Sequence, residues 1–141
     1  MSNLIKAKEL LSSGKYTCVL IKGEESYTSV SRGVKPLVKW YADGVKLSDF
    51  SAADKVVGKA TAFLYALLGV KEVFAKVMSV SAKAVLEEKC IRAEYESLVP
   101  NIINRKGDGI CPFEEAVLNT KNKEETYKII RHKMQEMGID L

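Results

Sequence analysis

The sequence contains few of the residues that build disulfide frameworks and metal sites. In 141 residues it has three cysteines and one histidine. Three is an odd number, and Cys18, Cys90 and Cys111 form no C-x-x-C pair, so a disulfide framework and a cysteine-only zinc site are both excluded. The single histidine, His132, excludes any site that needs two. Cys18 and Cys90 are expected to be ordinary buried side chains.

Long apolar runs are also missing. A membrane helix needs about 20 apolar residues, whereas the longest apolar stretch here runs from Ala60 to Val70 and includes Thr61 and Tyr65. Lysines interrupt the apolar pattern of the first ten residues, which predicts a helix rather than a signal peptide. We therefore expect a cytoplasmic protein with no membrane partner.

Length, composition and charge predict one globular domain over residues 1–141. Hydrophobic residues make up 47% and charged residues 28% of the chain, which is typical of globular proteins. The net charge is +4 and is concentrated nowhere along the chain. This mild excess suits an anionic small molecule. A nucleic-acid partner is not expected, because nucleic-acid binders usually carry a basic stripe.

The spacing of apolar residues predicts an alternation of helices and strands. The predicted elements are a helix ending at Gly14, a hairpin over 16–30, a helix from Pro36 to Tyr41, a helix from Ser51 to Gly69, a strand over 70–78, a helix over 81–89, a strand over 91–95, and helices from Pro112 to Leu118 and after Asn122. Residues 97–110 are expected to be irregular; the alternative is that Ile102 and Ile103 add a short strand. This order predicts an α/β fold with one mixed sheet between helices, a three-layer α/β/α sandwich.

Two stretches resemble the motif regions of the cytidine deaminase fold. Zinc deaminases carry H-x-E at the start of one helix and P-C-x-x-C at the start of the next. The corresponding stretches here are SAADKVVGKA (51–60) and MSVSAKAVLEEKCI (78–91). Over most of its length the chain resembles a small prokaryotic family of uncharacterised proteins in the cytidine deaminase-like superfamily. The stretches that carry this resemblance are SRGVKPL (31–37), ADKVVGKA (53–60), VMSVSA (77–82) and IINRKGDGICPFEE (102–115).

The residues that would bind zinc are absent from these stretches. Ala52 stands where the zinc-binding His or Cys would be, and Ser79 and Ala82 stand for the two cysteines. Asp54 stands for the catalytic Glu and keeps a carboxylate. Deamination needs a metal-activated water as well as that carboxylate. The resemblance thus implies the fold but no deaminase activity, and we expect no zinc and no other cofactor.

Two predicted helix starts carry candidate site residues. Ser51 and Asp54 match a capping box, in which both side chains bind backbone amides; the alternative is that Asp54 is a catalytic carboxylate at the mouth of a pocket. Ser79 is a helix cap by default. In the deaminase-like fold these two starts would lie close together. Their free amides and positive dipole ends would then attract an anion, with Ser79 as a ligand-binding residue.

Four cations are candidates to bind such an anion. Lys55 and Lys59 are four residues apart on the predicted helix and therefore share one face. They are either solvated or in contact with an anionic ligand. Arg32 and Lys35 lie in a turn before the helix at Pro36 and can line the same site.

The loop at 104–112 is the remaining candidate. Its two glycines let the backbone wrap closely around a ligand, with Asn104 and Arg105 as ligand-binding residues; the alternative is an ordinary glycine turn. Cys111 precedes a helix start, where the pKa of a thiol falls, and is a candidate nucleophile. Glu114 in the first turn opposes thiolate formation and is counted among the ligand-binding residues.

Three functions agree with these patterns. The first, which we prefer, is a metal-free protein that binds a nucleotide-like anionic ligand. The second is an enzyme in which Asp54 acts as acid or base, or Cys111 as nucleophile, in group transfer. The third is a structural module that forms a homo-oligomer through helix faces that include Phe63, Leu64 and Leu67.

Overall fold

The fold is described for residues 2–31, 33–104 and 106–141 of a computed structural model. Five strands and six helices lie within these residues. The strands are β1 (Cys18–Lys22), β2 (Glu25–Ser29), β3 (Ser51–Val57), β4 (Glu72–Ser79) and β5 (Arg92–Val99). The helices are α1 (Asn3–Ser12), α2 (Lys35–Ala42), α3 (Lys59–Leu68), α4 (Val80–Glu88), α5 (Pro112–Ala116) and α6 (Lys123–Glu136).

The strands form one mixed sheet in the order β2-β1-β3-β4-β5. β1 is antiparallel to both β2 and β3, whereas β3, β4 and β5 are mutually parallel neighbours. Parallel neighbours need a crossover connection, and α3 and α4 supply it. The predicted mixed sheet is therefore confirmed.

Helices cover both faces of the sheet. On one face, Leu4, Ala7 and Leu11 of α1 pack against Val19 and Phe74 of the strands. The larger core on the opposite face includes buried side chains from the other five described helices. None of the helices in the described residues has the length and apolar character needed to cross a membrane.

The helix predicted from Ser51 is wrong over its first seven residues, which form β3. The register pairs Ser51 with Ile21 of β1 and with Glu72 of β4. Ala52 is buried in one core and Ala53 in the other. A central strand that is buried on both faces lacks the alternating pattern of a surface strand. The spacing of its apolar residues therefore does not separate it from a buried helix.

The second half of that predicted helix is α3, and it is largely buried. Gly58 is its N-cap, and Gly69, in the left-handed region at a φ of 87°, ends it as predicted. Phe63 and Leu64 belong to the larger core and are almost fully buried. The predicted oligomer surface through these two residues is therefore wrong, because the chain's own core already covers them.

Smaller differences occur toward the end of the chain. β5 continues to Val99, beyond the predicted end at Tyr95, and α5 ends at Ala116 instead of Leu118. The last helix begins where predicted, and the Asn122 side chain accepts two backbone N–H groups of its first turn. The errors concern element ends, where local signals are weakest.

Candidate functional site

The candidate site is the carboxyl edge of the sheet, meaning the residues that follow the ends of the parallel strands β3, β4 and β5. The register pairs Val57 with Met78 and Met78 with Leu98, so the three strand ends are adjacent. α3 follows β3 and α4 follows β4, which places two helix N-termini side by side. The predicted pair of adjacent helix starts, Ser51 and Ser79, is wrong because Ser51 begins β3 at the opposite edge of the sheet. The helix start that lies beside α4 follows Gly58. Ligands of open α/β sheets generally bind at such an edge.

Glu114 of α5 caps the first turn of α3 from outside that helix. Its Oε2 accepts a hydrogen bond from the backbone N–H of Ala60 at 3.1 Å, and the residue is only 8% exposed. Gly58, the N-cap residue, has no side chain to do this. A Cβ on Gly58 would lie 2.5 Å from Oε2 of Glu114. Any larger residue here would therefore displace the carboxylate.

Lys59 adds a cation to the carboxyl edge. Its Nζ donates to the backbone oxygen of Leu118 at 2.8 Å. Partial burial lowers the pKa of Lys59, the charge of Glu114 opposes this decrease, and the charge of Lys121 adds to it. Lys55, by contrast, is exposed within β3. The prediction that the two lysines share one helix face is therefore wrong.

Ser79 caps α4, as predicted. Its Oγ accepts a hydrogen bond from the backbone N–H of Ala82 at 3.1 Å and lies 3.2 Å from Oγ of Ser81. A helix start has four N–H groups without a partner inside the helix, and a serine cap satisfies only part of them. The start of α4 therefore has a neutral cap, whereas the start of α3 has a charged one.

The loop between β5 and α5 is hydrogen-bonded to itself. Asn104 Nδ2 donates to Asp108 Oδ1 at 2.9 Å, and Asn104 Oδ1 accepts from the Asp108 backbone at 3.2 Å. A bridge joins Ile103 to Ile110. Both ends of the Asn104 amide are thus engaged within the loop. Arg105, predicted to bind the same anion, lies outside the described residues.

The same edge of the sheet continues to the end of β2. Ser29 is paired with Cys18, and Cys18 with Asp54. Because β2 runs in the same direction as β3, the chain leaves β2 at the carboxyl edge and then enters α2. Lys35 is partly buried at the first turn of α2. Arg32, predicted to act with Lys35, lies outside the described residues.

A chain of three hydrogen-bonded side chains joins β1, β3 and α3. The hydroxyl of Tyr65 donates to Asp54 Oδ2 at 2.7 Å. Cys18 Sγ lies 3.2 Å from the same hydroxyl oxygen. A tyrosine has only one hydroxyl proton, so the thiol is the donor in the second contact when Asp54 is ionised. The donors therefore point from Cys18 through Tyr65 to Asp54.

Burial raises the pKa of all three groups in this chain. The pKa of Asp54 rises to about 6, and hydrogen bonds from Tyr65 and from the backbone of Val56 and Lys55 limit the increase. Burial raises the pKa of Cys18 and of Tyr65 well above their ordinary values, and the charge of Asp54 adds to both. At neutral pH the carboxyl is therefore mostly ionised while the thiol and the phenol keep their protons. A carboxyl whose pKa lies this close to neutrality suits acid–base chemistry.

Asp54 does not cap a helix. The predicted capping box with Ser51 is wrong because both residues lie in β3. The Ser51 hydroxyl instead donates to the carboxylate of Glu72 in β4. The correspondence of Ala52 and Asp54 with helix-start residues of the deaminases fails for the same reason. Asp54 lies three residues before the end of its strand, under α3.

The remaining thiols have different environments. Cys111 is the partly buried N-cap residue of α5, and Pro112 is the first helical residue, as predicted. The histidine His132 is not buried beside a thiol: its side chain is 73% exposed, and its Nε2 lies 3.0 Å from Oε1 of Glu136 in the same helix. Cys90 is exposed and has a φ of 60°, so the prediction that it is buried is wrong. The nucleophilic role of Cys111 stays a prediction.

Tyr65 is the site residue that sequence reasoning missed. It lies among Ala and Leu residues on a helix with a wide buried surface. A buried tyrosine hydroxyl usually needs a polar partner, and this was the available signal for a buried polar cluster. The sequence does not identify its partners, because Cys18 and Asp54 contact Tyr65 only through strand pairing and helix packing.

The described residues contain no group of three His, Cys, Asp or Glu side chains that could hold a metal ion. Ala52 and Ala82, which the resemblance aligned with zinc ligands, have no atom that coordinates a metal, and Ala52 lies within β3 instead of at a helix start. The absence of zinc stays a prediction, and elemental analysis of the purified protein tests it.

The similarity to known proteins covers nearly the whole chain. Residues 6–134 match the family TM1506, a domain of unknown function (DUF1893). The chain belongs to this family. The crystal structure of a DUF1893 family protein (TM1506) from Thermotoga maritima is 27% identical, with a TM-score of 0.86 over 94% of this chain and 91% of that chain. The curated proteins contain no match to the chain.

Membership of the DUF1893 family agrees with the expected small, uncharacterised family. It establishes no ligand and no activity, because the family's function is unknown. The placement in the cytidine deaminase-like superfamily stays a prediction. Function depends on the chemistry of the site and not on the fold alone.

Proposed function

We propose that this protein binds a small, nucleotide-like anionic ligand at the carboxyl edge, without a metal, on a deaminase-like scaffold. The adjacent N-termini of α3 and α4 support this, because their N–H groups and positive dipole ends favour negative charge. Lys59 adds a positive charge in the first turn of α3. The net charge of +4 agrees with an anionic ligand.

The observation that carries the proposal is the buried carboxylate of Glu114. It is an oxyanion held by the Ala60 N–H at 3.1 Å, beside the lysine at position 59. Phosphate oxygens form the same charge-assisted hydrogen bonds as carboxylate oxygens. The start of α4 offers further donors next to this position, which suits a ligand with several negative oxygens.

Exposed apolar side chains around the carboxyl edge favour a nucleotide over an inorganic ion. Val80 begins α4, Leu118 follows α5, and Ile103 belongs to the loop after β5. Each of the three is more than half exposed. Grouped exposed apolar side chains mark binding surfaces more often than single ones do. A ring attached to the anionic group would have apolar side chains at this edge to contact.

Thermal unfolding with a panel of nucleoside monophosphates tests the proposal. A ligand at 100 times its Kd stabilises the folded chain by about 2.7 kcal/mol, which raises Tm by about 5–10 °C at this chain length. Lys59→Gln is expected to weaken binding about tenfold. Lys55→Gln removes the same charge from an exposed strand position and should leave binding unchanged. Absence of any shift at millimolar nucleotide contradicts the proposal.

A second candidate function is acid–base catalysis by Asp54. The hydrogen-bonded chain to Tyr65 and Cys18 favours it, because the carboxyl is partly buried and its pKa is about 6. If Asp54 acts on a bound ligand, its pKa measured by NMR should change when a saturating nucleotide is added. An unchanged pKa contradicts this role. For group transfer by Cys111, thiol labelling no faster than that of a model thiol at neutral pH contradicts the nucleophile.

A further inference from the structure

β5 is the longer of the two edge strands of the sheet. It has eight residues, whereas β2 at the other edge has five. β5 keeps one register with β4 from Arg92 to Val99 and contains no proline. Native proteins often shorten an edge strand or interrupt it with a bulge or a proline, because its free N–H and C=O groups pair readily with another strand. The outer edge of β5 has none of these three features.

Every second residue of β5 directs its backbone N–H and C=O away from the sheet. The N–H of Arg92 donates to the backbone oxygen of Lys71 at 3.2 Å, so Arg92 faces the β4 side. Because this direction alternates along a strand, the backbone groups of Ala93, Tyr95 and Ser97 point outward. These are the groups that a further strand would bind.

The side chains on one face of β5 carry charges of both signs. Glu94 lies 3.0 Å from Nζ of Lys8 in α1, which places the even-numbered residues of β5 on the α1 face of the sheet. Arg92 and Glu96 are exposed on the same face. The charge along this face therefore changes from positive at Arg92 to negative at Glu94 and Glu96.

We propose that the outer edge of β5 is a homodimer interface, in which β5 strands of two copies pair antiparallel around a two-fold axis at Glu94. Residues directly opposite in an antiparallel pair share one face of the sheet. With the axis at Glu94, Arg92 of each copy lies opposite Glu96 of the other. The charges of this edge are thus complementary to those of a second copy, as a self-complementary interface requires.

Other registers fit the charges less well. An axis at Tyr95 would place Glu94 opposite Glu96 twice, and like charges that are directly opposite are destabilising. An axis at Glu96 would leave Arg92 beyond the end of the other strand, and an axis at Ala93 would pair only residues 92–94. The axis at Glu94 alone combines opposite charges with five paired residues in each strand.

The backbone geometry agrees with this register. The outward N–H and C=O groups belong to odd-numbered residues, so the charged residues occupy non-hydrogen-bonded positions, where opposite Cα atoms are only about 4.5 Å apart. Glu94 lies opposite its own counterpart at the axis. The Lys8 ammonium, 3.0 Å from each Glu94, offsets the repulsion between these two carboxylates.

Sedimentation equilibrium of the full chain tests the interface. The wild type should approach twice the chain mass of 15.6 kDa as its concentration rises. Arg92→Glu should weaken the dimer about tenfold, because it makes two attractive pairs repulsive. Adding Glu96→Arg exchanges the two signs and should restore the dimer. Lys128→Glu makes the same charge change at an exposed position of α6 and should have no effect.

Disulfide cross-linking tests the register. The background carries Cys90→Ser and Cys111→Ser, which removes the accessible native thiols. Two cysteines at the axis would have Cα atoms about 4.5 Å apart, within the range of a disulfide. Glu94→Cys should therefore give a covalent dimer on a non-reducing gel after mild oxidation. Glu96→Cys, which lies opposite Arg92, should give far less.

The outcomes decide the inference independently of the proposed function, because nucleotide binding does not depend on this strand edge. A wild type that stays monomeric at every concentration overturns the interface, and so does a dimer that Arg92→Glu leaves intact. Equal cross-linking of Glu94→Cys and Glu96→Cys overturns the register. Recovery of the dimer in the double charge variant, with cross-linking confined to Glu94→Cys, supports both.

Discussion

Replacement of Asp54 by asparagine should remove a pH dependence that this partly buried carboxyl gives to stability. Its pKa in the folded chain is about 6, against an ordinary value of 3.8. The folded chain therefore holds this proton more tightly than the unfolded chain does. The resulting stabilisation is complete below about pH 4 and is lost as the pH rises through 6.

The size of the effect follows from the two pKa values. Each tenfold change in proton affinity is worth about 1.4 kcal/mol, so ionisation of Asp54 costs the folded chain about 3 kcal/mol. Between pH 7.5 and 4.5, about 2 kcal/mol of this is recovered. The rest is recovered at lower pH, where the unfolded carboxyl becomes protonated as well. Asp54→Asn binds no proton at this position and recovers none.

Urea unfolding of the wild type and Asp54→Asn at pH 7.5 and 4.5 measures this. The free energy of unfolding of the wild type, taken relative to that of the variant, should be about 2 kcal/mol higher at pH 4.5 than at pH 7.5. Contributions from the other carboxyl groups are common to both proteins and cancel. Asp140→Asn, at an exposed position, makes the same charge change and should show no such difference.

An equal difference between wild type and variant at both pH values would refute the reasoning, since Asp54 would then titrate like an exposed carboxyl. If Asp54→Asn does not fold, the wild type still gives an answer. The chemical shift of the Asp54 carboxyl carbon, followed by NMR against pH, should then show a midpoint near 6. A midpoint near the ordinary value would contradict the burial argument.

Three further perturbations have expected results. Tyr65→Phe removes the hydroxyl that contacts the Cys18 thiol and the Asp54 carboxylate. The free energy of unfolding, measured with urea, should fall by about 1–3 kcal/mol. No loss would mean that these hydrogen bonds do not stabilise the fold. Ser79→Ala removes the cap of α4 and should cost about 1 kcal/mol in the same assay, whereas Ser12→Ala, at an exposed position, should cost less. A thiol reagent should label exposed Cys90 at once and buried Cys18 only on unfolding; equal rates would contradict the burial of Cys18.

Elements with strong local signals could be predicted from the sequence. Helix ends are one such case, because their capping residues bind backbone groups only a few positions away. The residue type was therefore enough to predict the caps at Asn122 and Ser79 and the helix end at Gly69. The strand from Ser51 to Val57 was missed because its identity depends on two partner strands. Apolar residues of this strand are buried on both faces of the sheet. A short apolar run of this kind is found in buried strands and in buried helices, so the pattern alone does not distinguish the two.

The candidate site was predictable only in part, for the same reason. The role of Ser79 as the cap of α4 was predicted, because its hydroxyl binds the backbone N–H of Ala82 in the turn that directly follows it. Asp54 was recognised as a candidate, but its partner Tyr65 and its position under α3 were not. The contact of Glu114 with the start of α3 joins segments 54 residues apart, and no spacing rule covers such a distance.

The sequence by itself determined the α/β class, the single mixed sheet, the caps at Ser79 and Asn122, and the glycine end at Gly69. These properties depend on residue type and on contacts between near neighbours in the chain. Only the tertiary structure decided which polar groups meet. It placed Asp54 against Tyr65 and Cys18, and it placed the Glu114 carboxylate in the space left by Gly58. These contacts form only when distant segments pack, because strand register and helix docking decide which side chains share a buried space.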